Sequence, residues 1–506
     1  MAQPDADALR ASGTQLQAAG RFGAAAAAFQ DLVALTPSDA AAWTALCGSL
    51  LLDRRPAAAL EAAEAGLSAR PRSPDLLCAK ARTLQSVGRL DESRLALQQA
   101  LAIDPACAEA RYGLALQAAG AGDWDGAAAV AAPLLALAPA PHIDWLAARI
   151  ALGVGDTAAA LQRSSRALQA PGLSPDQQAE IALLMGEALD GLGRPAEAFR
   201  AFAQGKAALR GFYAERAASR EGEVDKLQRL AAWFAAADPA PWRAAPASPG
   251  SGARGHAFLV GFPRSGTTLL EQALAGHRDL VALEEPPTLA EAYDAFLATP
   301  QGLERLARLT ADEAAHWRDV YWRVVAECGA AATGKVFLDK APAGTLYLPL
   351  VAKLFPEAKV LFAVRDPRDV VLSCFRNAFQ MNALTYAFTD LAETARCYGA
   401  VMELAAVYRQ VLPIAPMEVR YERLVDDFEG ELGRIASHLD LELAPAMLDV
   451  AATAARRVVR TPSAPQVRAG LNRQGVGRWR AYAAELAPVR PILEPWLERL
   501  GYGGEG

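Results

Sequence analysis

The stretch Ala257-Phe-Leu-Val-Gly-Phe-Pro-Arg-Ser-Gly-Thr-Thr-Leu-Leu-Glu-Gln-Ala-Leu274 predicts a buried strand, a glycine-bounded loop and the first turns of a helix. Backbone N–H groups at a helix N-terminus point outward and carry partial positive charge, so such a loop binds anions. Glycines at 261 and 266 would let an anionic group come close to the backbone. The residues predicted to contact a phosphate are Arg264, Ser265, Gly266, Thr267 and Thr268.

This loop differs at one position from the nucleotide-triphosphate loop G-x-x-x-x-G-K-[ST]. Thr267 occupies the lysine position, and the cation has moved to Arg264. The missing lysine would clamp β- and γ-phosphates, so its absence argues against a kinase and suits a nucleotide with a single 5′-phosphate group. The Pro-Arg-Ser-Gly-Thr-Thr segment resembles the loop of sulfotransferases. That resemblance implies 3′-phosphoadenosine-5′-phosphosulfate (PAPS) as co-substrate, adenosine 3′,5′-bisphosphate as product, and no metal requirement.

Composition sets limits on the class of protein. A chain of 506 residues predicts two or more domains, and its formal net charge of −6 argues against a nucleic-acid-binding protein. The six cysteines show no C-x-x-C spacing, so neither a zinc site nor a disulfide framework is expected. The sequence contains no apolar stretch of membrane-spanning length and begins without a signal-peptide pattern, which favours a cytoplasmic protein with no membrane partner.

The first half of the chain repeats every 34 residues. Prolines recur at that interval and are expected to stop the second helix of each repeat: Pro37, Pro71, Pro105 and Pro139. The turn between paired helices is predicted at Gly20, Arg54, Gly88, Gly122 and Gly155. This period is that of tetratricopeptide repeats, which such an array resembles over roughly residues 8 to 210. The groove of such an array binds a peptide or protein, although a purely structural scaffold remains an alternative.

A segment rich in proline, glycine and serine, residues 238–255, is predicted to link two domains. We therefore expect a helical repeat domain at 1–237 and a catalytic domain at 256–506 that could be separated at the linker. The predicted fold is an α-helical tetratricopeptide-repeat solenoid followed by an α/β, P-loop-like sulfotransferase domain with a central parallel sheet.

A second motif begins with the apolar run 360–364, typical of a parallel strand covered on both faces. Arg365 follows this run, at the end of the strand where ligands of open α/β sheets bind. An arginine followed eight positions later by a serine resembles the sulfotransferase motif that holds the 3′-phosphate, which implies that role for Arg365 and Ser373. The alternative is a solvated ion-pair cluster of the arginines and aspartates at 365–369.

A third segment, residues 456–480, is rich in glycine, proline and arginine, and is predicted to be a loop. Its S-x-x-Q-V and V-G-x-W stretches resemble the cofactor-covering loop of tyrosylprotein sulfotransferases and of bacterial sulfotransferases fused to tetratricopeptide repeats. That resemblance implies that Ser463 and Arg478 contact the co-substrate. A basic loop that only solubilises the surface is the alternative.

Sulfuryl transfer needs a base for the acceptor hydroxyl and a cation near the leaving oxygen. Residues 277–287 resemble a tyrosylprotein sulfotransferase segment whose second glutamate is the base, which implies Glu285. His277 is the rival base, although it matches the family's helix-capping histidine. An extended strand would send Glu284 and Glu285 to opposite faces, so only one should reach the cleft. Lys340 resembles the family's lysine beside the leaving oxygen, the alternative being an exposed lysine at a strand end.

These features together favour a sulfotransferase in which Arg264, Glu285 and Lys340 are catalytic and the acceptor is a tyrosine of a peptide or protein. A carbohydrate or small-molecule sulfotransferase and a non-catalytic nucleotide-binding adaptor remain alternatives.

Overall fold

The computed structural model describes residues 5–136, 140–243, 252–457 and 470–504. The chain divides into two compact units, residues 1–172 and residues 173–506. The first unit is helical throughout its described part, and the second contains further helices and a parallel sheet.

The described residues of the first unit form ten helices that pair in chain order. They are α1 (Ala6–Ala18), α2 (Phe22–Leu35), α3 (Ala40–Leu52), α4 (Pro56–Ala69), α5 (Pro74–Ser86), α6 (Leu90–Ile103), α7 (Ala108–Ala121), α8 (Trp124–Leu135), α9 (Pro141–Gly153) and α10 (Thr157–Leu168). The backbone between paired helices is left-handed at Gly20, Arg54, Gly88, Gly122 and Gly155. The predicted turn positions are therefore confirmed, including the arginine of the second repeat.

Small residues allow the paired helices of the first unit to approach closely. A Cβ added to Gly13 of α1 would lie 2.7 Å from the ring of Phe29 on α2. Phe29 is 2% exposed and packs with Leu32 and Leu46 in the core of the first repeats. Burial of a phenylalanine of this kind stabilises the fold by about 1.5–3 kcal/mol.

The second unit begins with four more helices, α11 (Pro175–Gly191), α12 (Pro195–Ala218), α13 (Glu223–Ala235) and α14 (Ala240–Arg243). Its strands are β1 (Gly255–Gly261), β2 (Leu280–Glu284), β3 (Val336–Lys340), β4 (Lys359–Val364) and β5 (Met417–Arg420). The helices between and after them are α15 (Thr267–Ala275), α16 (Ala290–Phe296), α17 (Pro300–Ala307), α18 (Ala311–Glu327), α19 (Leu348–Leu354), α20 (Pro367–Arg376), α21 (Ala383–Ala387), α22 (Leu391–Val411), α23 (Tyr421–Asp426), α24 (Phe428–His438), α25 (Pro445–Leu448), α26 (Val450–Arg456), α27 (Ala483–Leu486) and α28 (Arg490–Arg499). Short 3₁₀ turns span Pro342–Tyr347, Arg478–Tyr482 and Ala487–Val489.

Among the described residues five strands form one sheet, in the order β2-β3-β1-β4-β5, and all neighbours are parallel. Parallel strands need a crossover between them, and the intervening helices cover both faces of the sheet. Leu259, Leu361 and Val419 form the core on one face together with Leu270 and Leu274 of α15. Because every strand runs the same way, the loops after all five strands lie at one edge.

The last helices before the sheet pack within the second unit. Phe234 of α13 lies 4.8 Å from Tyr408 and 4.9 Å from Trp242 between ring centroids, and both Phe234 and Trp242 are buried. Trp242 falls within the segment that the sequence predicts to be a linker. Its indole is nevertheless buried and packs against the ring of Phe234, so this part of the segment contributes to the core. The division between the compact units comes after Gly172, upstream of that segment. The predicted domain boundary at 238–255 stays a prediction.

Candidate active site

Four of the five strands bring sequence-predicted residues to one edge of the sheet. The phosphate loop follows β1, Glu285 follows β2, Lys340 ends β3, and Arg365 follows β4. Open parallel sheets bind their ligands at the carboxyl ends of the strands. The site therefore lies where the topology of the fold predicts a ligand.

The phosphate loop is held in a tight backbone conformation. Gly266 is the N-cap of α15 with φ of 92°, and a Cβ there would lie 2.5 Å from Cδ2 of Tyr421. Glycine is required at this position because both the φ angle and the aromatic neighbour exclude a side chain. Arg264 also has positive φ, at 71°. Such conformations cost about 1–3 kcal/mol in a non-glycine residue and cluster at functional sites.

Arg264 contacts the predicted 3′-phosphate residues directly. Its Nε donates a hydrogen bond of 2.9 Å to Oγ of Ser373, and its backbone oxygen accepts one of 2.9 Å from Arg365. Burial lowers the pKa of the Arg264 guanidinium to about 10, so it stays charged at neutral pH. The first and second motifs, about a hundred residues apart in sequence, thus form one cationic cluster.

Arg365 has one donor without an acceptor. Its guanidinium lies 4.7 Å from the centroid of the Tyr421 ring and donates to the backbone oxygen of Gly475. Its buried Nε finds no hydrogen-bond acceptor among the residues that the structure describes. Because an unpaired buried donor is costly, this geometry suits an anionic ligand that supplies the acceptor. A phosphate group fits these residues in charge and in donor arrangement.

The aspartates beside Arg365 are not solvated, contrary to the ion-pair alternative. Asp366 caps α20 and pairs with Arg368 at 2.8 Å, with both side chains under a tenth exposed. Asp369 accepts N–H bonds from Gly477 and Trp479, at 2.7 and 2.8 Å. Burial raises the pKa of Asp369 to about 6. The arginines and aspartates at 365–369 are buried because the stretch 475–480 packs against the start of α20.

The stretch 475–480 belongs to the predicted covering loop, of which residues 470–480 are described at this end. Arg368 stacks on the Trp479 ring, 3.6 Å from its centroid, in addition to the two Asp369 contacts. Arg478 forms an ion pair with Asp190 of α11. The predicted contact of Arg478 with the co-substrate stays a prediction, as does that of Ser463, which lies outside the described residues.

Lys340 is fully buried and surrounded by carboxylates, which excludes the alternative of an exposed lysine. Its Nζ lies 3.1 Å from Glu285, 3.3 Å from Glu284 and 3.5 Å from Glu271. Burial lowers the pKa of Lys340, but the carboxylates of Glu271, Glu285 and Glu284 outweigh burial and raise it above the ordinary value. Lys340 is therefore a cation at neutral pH.

The expectation that Glu284 and Glu285 point to opposite faces is wrong. Glu285 has φ of 52°, and its N–H donates to the backbone oxygen of Lys340 at 2.7 Å. This left-handed turn interrupts the strand alternation, so both carboxylates reach Lys340. They differ in exposure, because the Glu285 side chain is 49% exposed and that of Glu284 is 12% exposed.

The loop after Glu285 is anchored by a buried polar network. Thr288 donates to Asp339 at 2.7 Å, and Tyr321 donates to the same oxygen at 2.9 Å. Burial raises the pKa of Asp339 to about 6. This anchoring fixes the backbone that carries Glu285.

His277 lies in the turn that ends α15. Its Nδ1 accepts a hydrogen bond of 3.0 Å from the backbone N–H of Asp279, and its backbone oxygen accepts one of 3.1 Å from Leu280. The side chain of His277 therefore contacts the turn after α15, and its role as a capping residue or as a base stays a prediction.

Glu271 is the neighbour of Lys340 that sequence reasoning missed. It is fully buried on α15, and its second oxygen pairs with Arg457 at 3.2 Å. Burial raises its pKa despite the two cations. The signal in the sequence is a glutamate within the apolar helix that follows the phosphate loop. A carboxylate buried in such a helix needs a cationic partner.

Two negative findings apply to the described residues. No group of three or more histidine, cysteine, aspartate or glutamate side chains in this part of the chain is arranged to hold a metal ion. Nor does a helix there reach the length and apolar character needed to cross a membrane.

Comparisons with known proteins agree with this architecture. Residues 257–445 match the profile of the family described as the sulfotransferase family. An uncharacterised protein of Aquifex aeolicus (strain VF5) is 27% identical over 48% of this chain and 33% of its own length. Protein-tyrosine sulfotransferase 1 of Danio rerio is 27% identical over 48% of this chain and 71% of its own. Nodulation protein NoeE of Sinorhizobium fredii (strain NBRC 101917 / NGR234) is 28% identical over 36% of this chain and 49% of its own.

The chain thus spans about a third of the Aquifex relative and half of the nodulation protein. The matched region contains the phosphate loop, Glu285, Lys340, Arg365 and Ser373. Upstream of it lie the paired helices with their 34-residue period. The protein combines a tetratricopeptide-like helical array with a region, residues 257–445, that matches the sulfotransferase family.

Proposed function

We propose that the protein transfers a sulfuryl group from PAPS to an acceptor hydroxyl. The observation that carries this proposal is the unpaired buried Nε of Arg365, next to Arg264, Ser373 and the N-terminus of α15. Two arginines, a hydroxyl and the N-terminus of α15 match the two phosphate positions of adenosine 3′,5′-bisphosphate.

In this proposal the phosphate groups are divided between the motifs. Ser265, Thr267, Thr268 and the backbone N–H of Gly266 hold the 5′-phosphate, with the charge of Arg264. Arg365 and Ser373 hold the 3′-phosphate, and Ser463 and Arg478 cover the nucleotide.

When bound, PAPS would supply the sulfuryl group and a phosphate leaving group. Glu285 would take the proton of the acceptor hydroxyl, since half of its side chain faces solvent while its other contacts fix its position. Lys340, kept charged by its carboxylates, would offset negative charge on the leaving oxygen together with Arg264. Neither role requires a metal ion.

The acceptor that we propose is a tyrosine of a peptide or protein. Two features support it: the similarity to the zebrafish protein-tyrosine sulfotransferase, and a repeat array of the kind that binds polypeptides. The repeats would then deliver the acceptor, or a partner that carries it. A carbohydrate or small-molecule acceptor is the second candidate, and a non-catalytic adaptor the third.

The test is transfer of radiolabelled sulfate from PAPS to matched peptides that contain tyrosine, serine or phenylalanine at one position. We expect label only on the tyrosine peptide, without added metal. Label on a glycan or small phenol but on no peptide would favour the second candidate. Adenosine 3′,5′-bisphosphate binding without transfer to any acceptor would favour the adaptor.

A further inference from the structure

Asp190 of α11 is a carboxylate from the repeat-like helices that two arginines of the catalytic domain contact. Its side chain is 8% exposed. Arg376 lies 2.5 Å from Oδ2, Arg478 pairs with the same oxygen, and the Tyr482 hydroxyl donates to Oδ1 at 2.7 Å. Burial raises its pKa, but the two arginines and the tyrosine outweigh burial and lower it, so Asp190 is ionised.

The two arginines belong to the two walls of the proposed nucleotide site. Arg376 ends α20, one turn after Ser373, and Arg478 lies in the stretch 475–480. That stretch also contacts Arg365 through Gly475. Asp190 therefore connects the helix that carries Ser373 to the segment that would cover the nucleotide.

Asp190 pairs with two of the four guanidinium groups in this region. Arg264, Arg365, Arg376 and Arg478 bring four guanidinium groups to this region of the second unit. The buried Nε of Arg478 has no hydrogen-bond acceptor among the described residues. Asp190 thus fixes the direction of two guanidiniums, and the Nε of Arg478 stays available as a donor for an anion.

A second buried ionisable residue of the same helix pair contacts the same helix end. Lys206 of α12 donates to the backbone oxygen of Asn377 at 2.7 Å, just past the end of α20. It is 2% exposed and lies 5.7 Å from the centroid of the Phe379 ring. The pair α11–α12 therefore packs on the end of α20 through two buried ionisable residues, and not through apolar contacts alone.

We infer that Asp190 is a positioning residue for the anionic nucleotide, acting through Arg478 and Arg376. The inference rests on the proposed function and assigns to a helix of the repeat type a role in co-substrate binding. It also places part of the nucleotide site outside residues 257–445, the region matched by the family profile.

The test compares Asp190→Asn with wild type in calorimetric titrations with adenosine 3′,5′-bisphosphate. We expect affinity to fall about tenfold or more, because the two guanidiniums lose their charged acceptor. The KM for PAPS should rise in parallel, with kcat changed by less than about twofold, since Asp190 touches no reacting atom. Glu197→Gln is the matched control, because it removes one carboxylate from an exposed ion pair with Arg194 on the same helix pair.

A double variant tests whether Asp190 acts through Arg478. In an Arg478→Gln background, Asp190→Asn should cost less affinity than it does in wild type, because one of its partners is already gone. Fully additive losses, or an Asp190→Asn affinity within about twofold of wild type, would overturn the inference.

Asp190→Glu keeps the charge and moves it by one methylene, so it provides a test even if the asparagine variant does not fold. We expect it to fold and to bind about threefold or more weakly, and wild-type affinity would overturn the inference. Absence of binding by the wild-type protein would instead contradict the proposed function, and the inference with it.

Discussion

Glu285 and Glu284 contact the same lysine but differ in exposure, which assigns them different roles. Glu285→Gln should reduce turnover by about a hundredfold or more, because an amide cannot accept the proton of the acceptor. Glu284→Gln should cost less, because its buried carboxylate faces Lys340. The measurement is kcat for both variants, with nucleotide affinity unchanged for Glu285→Gln.

The control is Glu291→Gln, which removes an exposed glutamate paired with Arg323 at the surface. A Glu285→Gln enzyme with nearly full turnover, together with a dead Glu284→Gln or His277→Gln enzyme, would show that the base is a different residue.

Glu271 is expected to determine the alkaline side of the pH profile. Because its carboxylate raises the pKa of Lys340, Glu271→Gln should lower that pKa, and Lys340 should lose its proton at lower pH. The alkaline limb of kcat/KM should therefore move to lower pH in the variant. A profile that keeps its shape and position while only its height changes would contradict this role.

The orientation of the two glutamates illustrates what the sequence could not predict. The apolar pattern of β2 and the motif after it were sufficient to place the pair at a strand end. The left-handed φ of Glu285 depends on a hydrogen bond to Lys340, 55 positions away. Local pattern carries no information about such a contact, so the alternation rule failed there.

Among the secondary-structure elements, β1, the phosphate loop, α15 and β4 were predicted with the correct type and order. Glycine spacing and apolar runs are local signals, and they were sufficient here. The attachment of α20 to α12 was not predicted, because Lys206 and Asn377 are 171 positions apart.

Lys206 should make the stability of the α12–α20 packing depend on pH. Burial lowers its pKa to about 7, whereas in the unfolded chain it keeps the ordinary value of 10.5. Between these values the unfolded state binds more protons, so stability should rise with pH. The slope for this one group is at most about 1.4 kcal/mol per pH unit.

Lys206→Met removes this dependence while keeping an apolar stem of similar length. Chemical unfolding of both proteins at several pH values measures the difference between them. We expect the stability of wild type relative to the variant to increase from about pH 7 towards pH 10. A constant difference over this range would show that Lys206 keeps an ordinary pKa when buried.

In the whole molecule, the compact units divide after residue 172, whereas composition predicted a domain boundary at 238–255. A fragment that starts at Leu173 keeps the buried Phe234, Trp242 and Lys206 with the sheet, so it should fold and bind adenosine 3′,5′-bisphosphate. A fragment that starts at Arg254 loses all three, together with Asp190. We expect it to be unstable or to bind the nucleotide weakly.

Circular dichroism and nucleotide titration of the two fragments provide the comparison. Equal stability and affinity would mean that α11–α14 are dispensable and that the boundary predicted at 238–255 is the correct one. Loss of binding in both fragments would mean that the second unit needs residues 1–172.

The site at the carboxyl ends of the strands is expected to bind a 3′,5′-bisphosphorylated nucleoside in preference to a nucleoside triphosphate. Calorimetric titration of the full-length protein with adenosine 3′,5′-bisphosphate and with ATP, each in the presence of a metal chelator, tests it most directly. We expect the bisphosphate to bind at least about tenfold more tightly than ATP, with no effect of magnesium. The reason is that Arg365 and Ser373 would donate hydrogen bonds to a 3′-phosphate, which ATP lacks. Equal affinity for ATP, or binding that requires magnesium, would contradict the account.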